Sequence, residues 1–173
     1  RAKEGCAILM EVSSGEIKAI SNLIRSRDGT YRELKNVAMA NMSEPGSTFK
    51  TASMIVALEE GIVKPSDIID VGDGTYQFYN AIMRDHNYRD GGYGKITATE
   101  VIQYSSNVGI SKIINDFYEK KPEKFVDRLY AMRLNEAIDI EIPGVGAPYI
   151  PHPKDEDVLW DKTKLPWMAI GYN

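Results

Sequence analysis

Glu44-Pro45-Gly46-Ser47-Thr48-Phe49-Lys50 opens a helix and places a hydroxyl and an amine one turn apart at its start. The stretch follows Asn41-Met42-Ser43, and an apolar face at Phe49, Ala52, Ile55 or Val56, and Leu58 carries the helical period to Glu60. Gly61 is a natural stop, so a helix is expected over 44–61, with Pro and Gly ahead of it and Gly behind. Ser47 and Lys50 are three residues apart. Three steps of about 100° return nearly to one face, so the hydroxyl and the amine can meet. A serine hydroxyl is a weak nucleophile until a neighbouring base takes its proton. Lysine can be that base only when burial or another cation keeps it partly neutral. The free N–H groups and positive end of the helix favour an oxyanion at the attacked carbonyl. Taken alone, these residues read more readily as a helix-start serine beside a solvated lysine, because with eleven serines the spacing arises by chance about once.

Upstream, 1–24 reads as a β-hairpin. Cys6 to Val12 is apolar and β-leaning, Ser13-Ser14-Gly15 is turn chemistry, and Glu16 to Leu23 alternates around Ile17, Ala19 and Ile20. Arg25 to Lys35 is polar, with a turn at Asp28-Gly29. Downstream, 62–173 reads as mainly helices and loops. Residues 64–95 are punctuated by glycines and short strands, and Thr97-Ala98-Thr99-Glu100 has capping-box spacing for a helix through Tyr104. Ser105-Ser106-Asn107 breaks the pattern, and Val108 to Tyr118 resumes it with Ile110, Ile113, Ile114 and Phe117 apolar. A further helix covers about 122–132, the tail from Pro143 to Pro166 is irregular, and Trp167 to Tyr172 begins another helix. A break between helices can present Ser105 and Asn107 to a cleft, the hydroxyl to relay a proton and the amide to hold a substrate amide. A helix-capping Ser/Asn pair explains the same residues.

The composition is 43% hydrophobic and 27% charged over 173 residues, with mean hydropathy −0.33. That excludes a mostly disordered, collagen-like or disulfide-built chain. No window approaches 18 consecutive apolar residues, so no span is expected, and because Arg1-Ala2-Lys3-Glu4 leads straight into a strand-like run no signal peptide is expected. The chain starts as if cut from something longer. Net charge is −4 without a Lys/Arg block, which argues against nucleic acid. Cys6 has no partner for an internal disulfide and reads as a small buried thiol. His86 and His152 lie far apart and argue against a zinc site.

Together, Glu44 to Lys50 and the later Tyr104-Ser105-Ser106-Asn107-Val108-Gly109 closely resemble the transpeptidase domain of class B penicillin-binding proteins, the septal and elongation D,D-transpeptidases. Gly15-Glu16-Ile17-Lys18-Ala19, Arg84-Asp85-His86 and Gly171-Tyr172 extend the likeness along nearly the whole chain. The resemblance implies an α/β (α+β) architecture, part of the serine β-lactamase/penicillin-binding-protein transpeptidase fold, with N-terminal strands and a helical subdomain. It implies that Ser47 attacks the D-Ala-D-Ala carbonyl of a peptidoglycan stem peptide, forms an acyl-enzyme, and yields a cross-link when a neighbouring strand's amine resolves the ester. β-Lactams mimic that dipeptide. By the same resemblance Lys50 is the general base and Ser105 shuttles the proton to the leaving group. Asn107 binds the acyl-side amide and steadies Lys50, and the Ser47 N–H serves the oxyanion. No metal or organic cofactor is implied. The implied partners are stem peptides and β-lactams and, in the full protein, a membrane anchor with division or elongation proteins, at the periplasmic face of the bacterial cytoplasmic membrane.

The family's third motif, Lys-Thr-Gly or Lys-Ser-Gly on a later strand, has no match. Lys162-Thr163-Lys164 lies ahead of Gly171-Tyr172 and carries lysine where glycine is required. The later sheet strands would go with that motif. The chain is therefore expected to be a single truncated fragment, a poor acylating enzyme alone, and prone to self-association through an open strand edge. A serine β-lactamase would need a deacylating base, and no segment resembles the loop that carries one. A β-lactam sensor or a non-catalytic cell-division scaffold with the same fold is the alternative of another class. Retention of Ser47, Lys50, Ser105 and Asn107 argues against the scaffold.

Overall fold

A computed structural model describes residues 2–142 and 144–172, so Pro143 of the proline-rich tail lies outside the described residues. The chain divides into two compact units, Arg1–Ser43 with Glu136–Pro148, and Glu44–Asn135 with Tyr149–Asn173.

In the first unit, β1 (Glu4–Met10) pairs antiparallel with β2 (Ile17–Arg25), in a register running from Glu4 opposite Ile24 to Leu9 opposite Ala19. The hairpin closes through Gly15 N–H to Glu11 O at 2.8 Å, with Gly15 in the left-handed region at φ 74°. The polar segment turns at Asp28, whose carboxylate accepts from the Thr30 N–H and hydroxyl, and returns as β3 (Tyr31–Arg32) alongside β2. A short helix, α1 (Val37–Ala40), is tied to the sheet by the buried Asn22, whose side-chain oxygen accepts from Ala38 N–H at 2.9 Å. Cys6 is exposed, where a buried thiol was expected. The physical reason is its strand: β1 is a sheet edge, paired on one side only, and all of its residues are exposed.

The second unit holds a contiguous apolar core. A 3₁₀ turn (Gly46–Phe49) leads into α2 (Lys50–Glu59). After α2 the chain makes β4 (Ile68–Gly72), β5 (Thr75–Phe78), β6 (Ala81–Arg84) and β7 (Gly94–Thr97), paired as two small antiparallel sheets, β4 with β7 and β5 with β6. Then come α3 (Ala98–Gln103), α4 (Asn107–Tyr118), α5 (Pro122–Ala131) and α6 (Lys164–Met168). α2 ends in a Schellman motif: Gly61 at φ 66° donates to Leu58 O, and Ile62 N–H reaches Ala57 O at 2.9 Å. α3 begins with the capping box, Thr97 N–H donating to Glu100 Oε2 at 2.8 Å and Glu100 N–H returning to the Thr97 hydroxyl.

Three assignments differ from the sequence reading, two of apolar faces and one of a helix boundary. α2 buries Lys50, Ser53, Met54, Val56 and Ala57, while Ile55 and Leu58 face outward, because the polar Lys50 and Ser53 find buried partners and rotate the covered face onto themselves. In α4 the inward row runs Ile110, Ile114, Tyr118, and Phe117 is left exposed at its edge. The last helix is α6, ending at Met168, rather than one beginning at Trp167, because Gly171 takes φ 81° and turns the chain.

Candidate active site

The turn into α2 sets the relation between Ser47 and Lys50. In a 3₁₀ turn, residues i and i+3 are eclipsed rather than offset as in an α-helix. Ser47 lies inside that turn, and Lys50 closes it with its N–H bonded to Ser47 O, which aligns both side chains on one face. Ser47 is exposed, whereas Lys50 is buried at 2% exposure.

The turn is braced by the end of the chain. Gly46 takes φ 57° and donates its N–H to Gly171 O at 3.0 Å. A side chain at Gly171 would place its Cβ 2.2 Å from Gly46 O, so only glycine allows this approach. One turn further on, the Ser53 hydroxyl donates to Ala169 O at 2.8 Å inside the core.

Lys50 Nζ donates to both Ser105 oxygens, the carbonyl at 2.6 Å and the hydroxyl at 2.9 Å. Burial pushes the Lys50 ammonium down to about 8, with the negative charge of Asp85 acting against the fall. At neutral pH roughly a tenth of such lysines carry a free amine lone pair, far more than of an ordinary lysine. Ser105 sits at φ 53°, in the left-handed region where a serine is strained. Its strain follows from its place after α3: Ser105 N–H reaches Ile102 O and Ser106 N–H reaches Val101 O at 2.9 Å, a Schellman motif with serine in the usual glycine position. Ser106 then caps α4, its hydroxyl accepting from Gly109 N–H at 2.9 Å. Asn107 opens α4 and donates its side-chain amide to Arg84 O at 2.8 Å.

Thus Lys50 and Ser105 are in direct contact, Ser47 is one 3₁₀ turn from Lys50, and Asn107 stands two residues beyond Ser105 against the end of β6. An exposed hydroxyl at a helix start, aligned with a buried and partly neutral amine that is itself bonded to a second hydroxyl, is equipped for acyl transfer through serine. Sequence reasoning gave no role to Asp85, Ser106 or Ser53, all buried. The Ser53 partner lies 116 residues away and the Ser106–Asp85 bond spans 21, so no local pattern announces either; the one local sign is Ser106 as the cap of α4. Lys162-Thr163-Lys164 is no strand: Asp161 accepts from the Thr163 N–H and hydroxyl, and α6 starts at Lys164. Among the described residues no three His, Cys, Asp or Glu gather to hold a metal, and no helix is long and apolar enough to cross a membrane.

A family model described as the penicillin binding protein transpeptidase domain matches residues 5–159. Over 178 residues the chain is 32% identical to the peptidoglycan D,D-transpeptidase FtsI of Escherichia coli (strain K12), covering 99% of this chain and 28% of that protein. It is 26% identical over 182 residues to penicillin-binding protein PbpB of Mycolicibacterium smegmatis, covering 98% of this chain and 26% of the relative. The chain therefore spans about a quarter of the length of these relatives. A crystal structure of a peptidoglycan glycosyltransferase from Burkholderia ambifaria superposes with a TM-score of 0.79 at 30% identity, covering 99% of this chain and 48% of that one. The apo transpeptidase domain of Burkholderia pseudomallei penicillin-binding protein 3 gives a TM-score of 0.79 at 28% identity, with 99% and 45% covered.

Proposed function

The chain belongs to the penicillin-binding protein transpeptidase domain family, and from that premise we propose that it carries the acylating centre of a peptidoglycan D,D-transpeptidase. Ser47 Oγ attacks the carbonyl of the penultimate D-Ala of a stem peptide while Lys50 Nζ takes its proton. The tetrahedral oxyanion is stabilised in part by the Ser47 N–H at the helix start. The C–N bond to the terminal D-Ala then breaks, and the proton passes from Lys50 through the Ser105 hydroxyl to the leaving amine. An amine of a neighbouring stem peptide attacks the acyl-serine, forming the new amide and returning the proton to Ser47. Asn107 is assigned to the amide on the acyl side of the substrate. A β-lactam enters by the same attack, and its opened ring stays attached to Ser47.

The observation that carries this reading is Lys50: buried, bonded to the Ser105 hydroxyl at 2.9 Å, and aligned with Ser47 by the 3₁₀ turn. The reading sets the reaction at the periplasmic face of the cytoplasmic membrane, with a membrane anchor and the division or elongation proteins as partners of the whole protein. Its test is the intact protein supplied with a stem pentapeptide and an acceptor amine. Release of D-Ala together with a cross-linked product is expected, and both should vanish in Lys50→Ala. Rapid hydrolysis of penicillin without an accumulating acyl-enzyme would instead favour a β-lactamase.

A further inference from the structure

Three consecutive residues from the end of β6 are tied to the segment that carries Ser105 and Asn107, Arg84 and Asp85 directly and His86 through Tyr93. Arg84 O accepts from the Asn107 amide at 2.8 Å. His86 Nε2 shares a 3.0 Å hydrogen bond with the Tyr93 hydroxyl, and the Tyr93 ring stacks on Tyr104 at 4.6 Å between centroids. Between them Asp85, 1% exposed, turns inward. Its Oδ2 accepts from the Ser106 hydroxyl at 2.8 Å and its Oδ1 from Val108 N–H at 2.9 Å. Its own N–H is held by Gly74 O at 2.8 Å.

From this geometry we infer that Asp85 is a positioning residue for the acyl transfer proposed above: its buried carboxylate fixes the Ser105–Asn107 turn against Lys50 and supplies the negative charge that the buried ammonium faces. The inference rests on that acyl-transfer reading.

A carboxylate is costly to bury unless it is hydrogen-bonded and paired. Two donors and the positive end of α4 meet part of that cost. Either donor could have been served by a neutral side chain such as asparagine, so the hydrogen bonds alone do not require a charge. The requirement comes from Lys50, whose hydrogen-bond partners among the described residues are the two uncharged Ser105 oxygens. The helices packed against α2 carry ionisable groups of their own, among them Glu100 on α3, Lys112 and Asp116 on α4, and Asp127 and Arg128 on α5. Asp85 is the group whose charge acts on Lys50, raising its proton affinity against the effect of burial. The same carboxylate therefore holds the turn in place and keeps the base from losing its proton too early. A base that is neutral well below the working pH is also a weaker base.

The test is the pH dependence of acylation by a fluorescent penicillin, measured on the intact protein and on Asp85→Asn, Ser106→Ala and Ser47→Ala. For the unaltered protein the rate constant should rise with pH to a midpoint near 8, where Lys50 loses its proton. Asp85→Asn removes the opposing charge, so the midpoint should move down by on the order of one pH unit. Ser106→Ala removes one tie to Asp85 but keeps the charge, and should slow acylation at every pH with the midpoint unmoved. If Asp85→Asn fails to fold, the double variant Asp85→Asn/Ser106→Ala replaces it. That variant loses the same charge, and the same downward shift is expected. A slower Asp85→Asn whose midpoint stays near that of the unaltered protein, or rises, makes Asp85 a structural clamp only and overturns the inference. Labelling that persists in Ser47→Ala overturns the acyl-transfer reading itself, a separate failure.

Discussion

Ser105 occupies the position that ends helix α3 in a left-handed conformation, φ 53°, and the consequence can be weighed. An L-residue there costs about 1–2 kcal/mol that glycine avoids. Glycine gives back about 0.5–1 kcal/mol through the greater freedom of its unfolded chain. Ser105→Gly and Ser105→Ala both delete the hydroxyl bonded to Lys50, and both keep the carbonyl that Lys50 reaches at 2.6 Å. Their difference therefore isolates the backbone strain: Ser105→Gly should be more stable than Ser105→Ala by about 0.5–1 kcal/mol. Equilibrium denaturation of the intact protein, compared at equal m-value, reads that difference. Acylation by penicillin should fall in both variants alike, by about 10²–10⁴-fold if the hydroxyl relays the proton. An alanine variant as stable as the glycine variant would refute the strain argument. A glycine variant that acylates at the unaltered rate would refute the relay.

Lys50 links stability to pH. Folded, it loses its proton near 8; unfolded, near the ordinary 10.5. Between those values the unfolded chain holds more protons, so this residue adds stability as pH rises from about 8 towards 10.5. Lys50→Met lacks that term, and its stability advantage over the unaltered protein should shrink across the same window in denaturation series; a constant difference would contradict the buried ammonium. Gly171→Ala puts a Cβ 2.2 Å from Gly46 O at φ 81°, and should lower stability by at least about 1–2 kcal/mol and slow acylation together, as the brace on the turn is displaced. A Gly171→Ala variant with unchanged melt and unchanged labelling would show that the brace is not needed.

What the sequence disclosed and what it hid divide along the range of the interactions. The hairpin of β1 and β2, the capping box at Thr97 and the break at Ser105 are local patterns of turn chemistry and periodicity, and each was legible. Ser47 and Lys50 share one turn, so their placement on one face needed no long-range information. The Ser105 contact to Lys50 spans 55 residues; the family resemblance named Ser105 as a proton shuttle but gave the steadying of Lys50 to Asn107, whose amide goes to Arg84 O. Ser53 reads as a polar surface residue in α2, yet its hydroxyl is buried against Ala169 O, 116 residues on. Asp85 sits in what hydropathy calls a loop, and its burial depends on α4 closing over it. Cys6 misled in the opposite sense: an apolar strand reads as covered, but β1 is an exposed edge. Polar groups with distant partners and apolar strands at sheet edges are the two cases in which hydropathy pattern and burial part company.

The central claim is that Ser47 is the acylated nucleophile. Incubating the intact protein with benzylpenicillin and reading its mass, then locating the adduct by peptide mapping, tests it most directly. The account predicts a single penicilloyl adduct on the peptide containing Ser47, and none in Ser47→Ala. An adduct on another residue, or an unmodified protein under conditions in which it is folded, would contradict it.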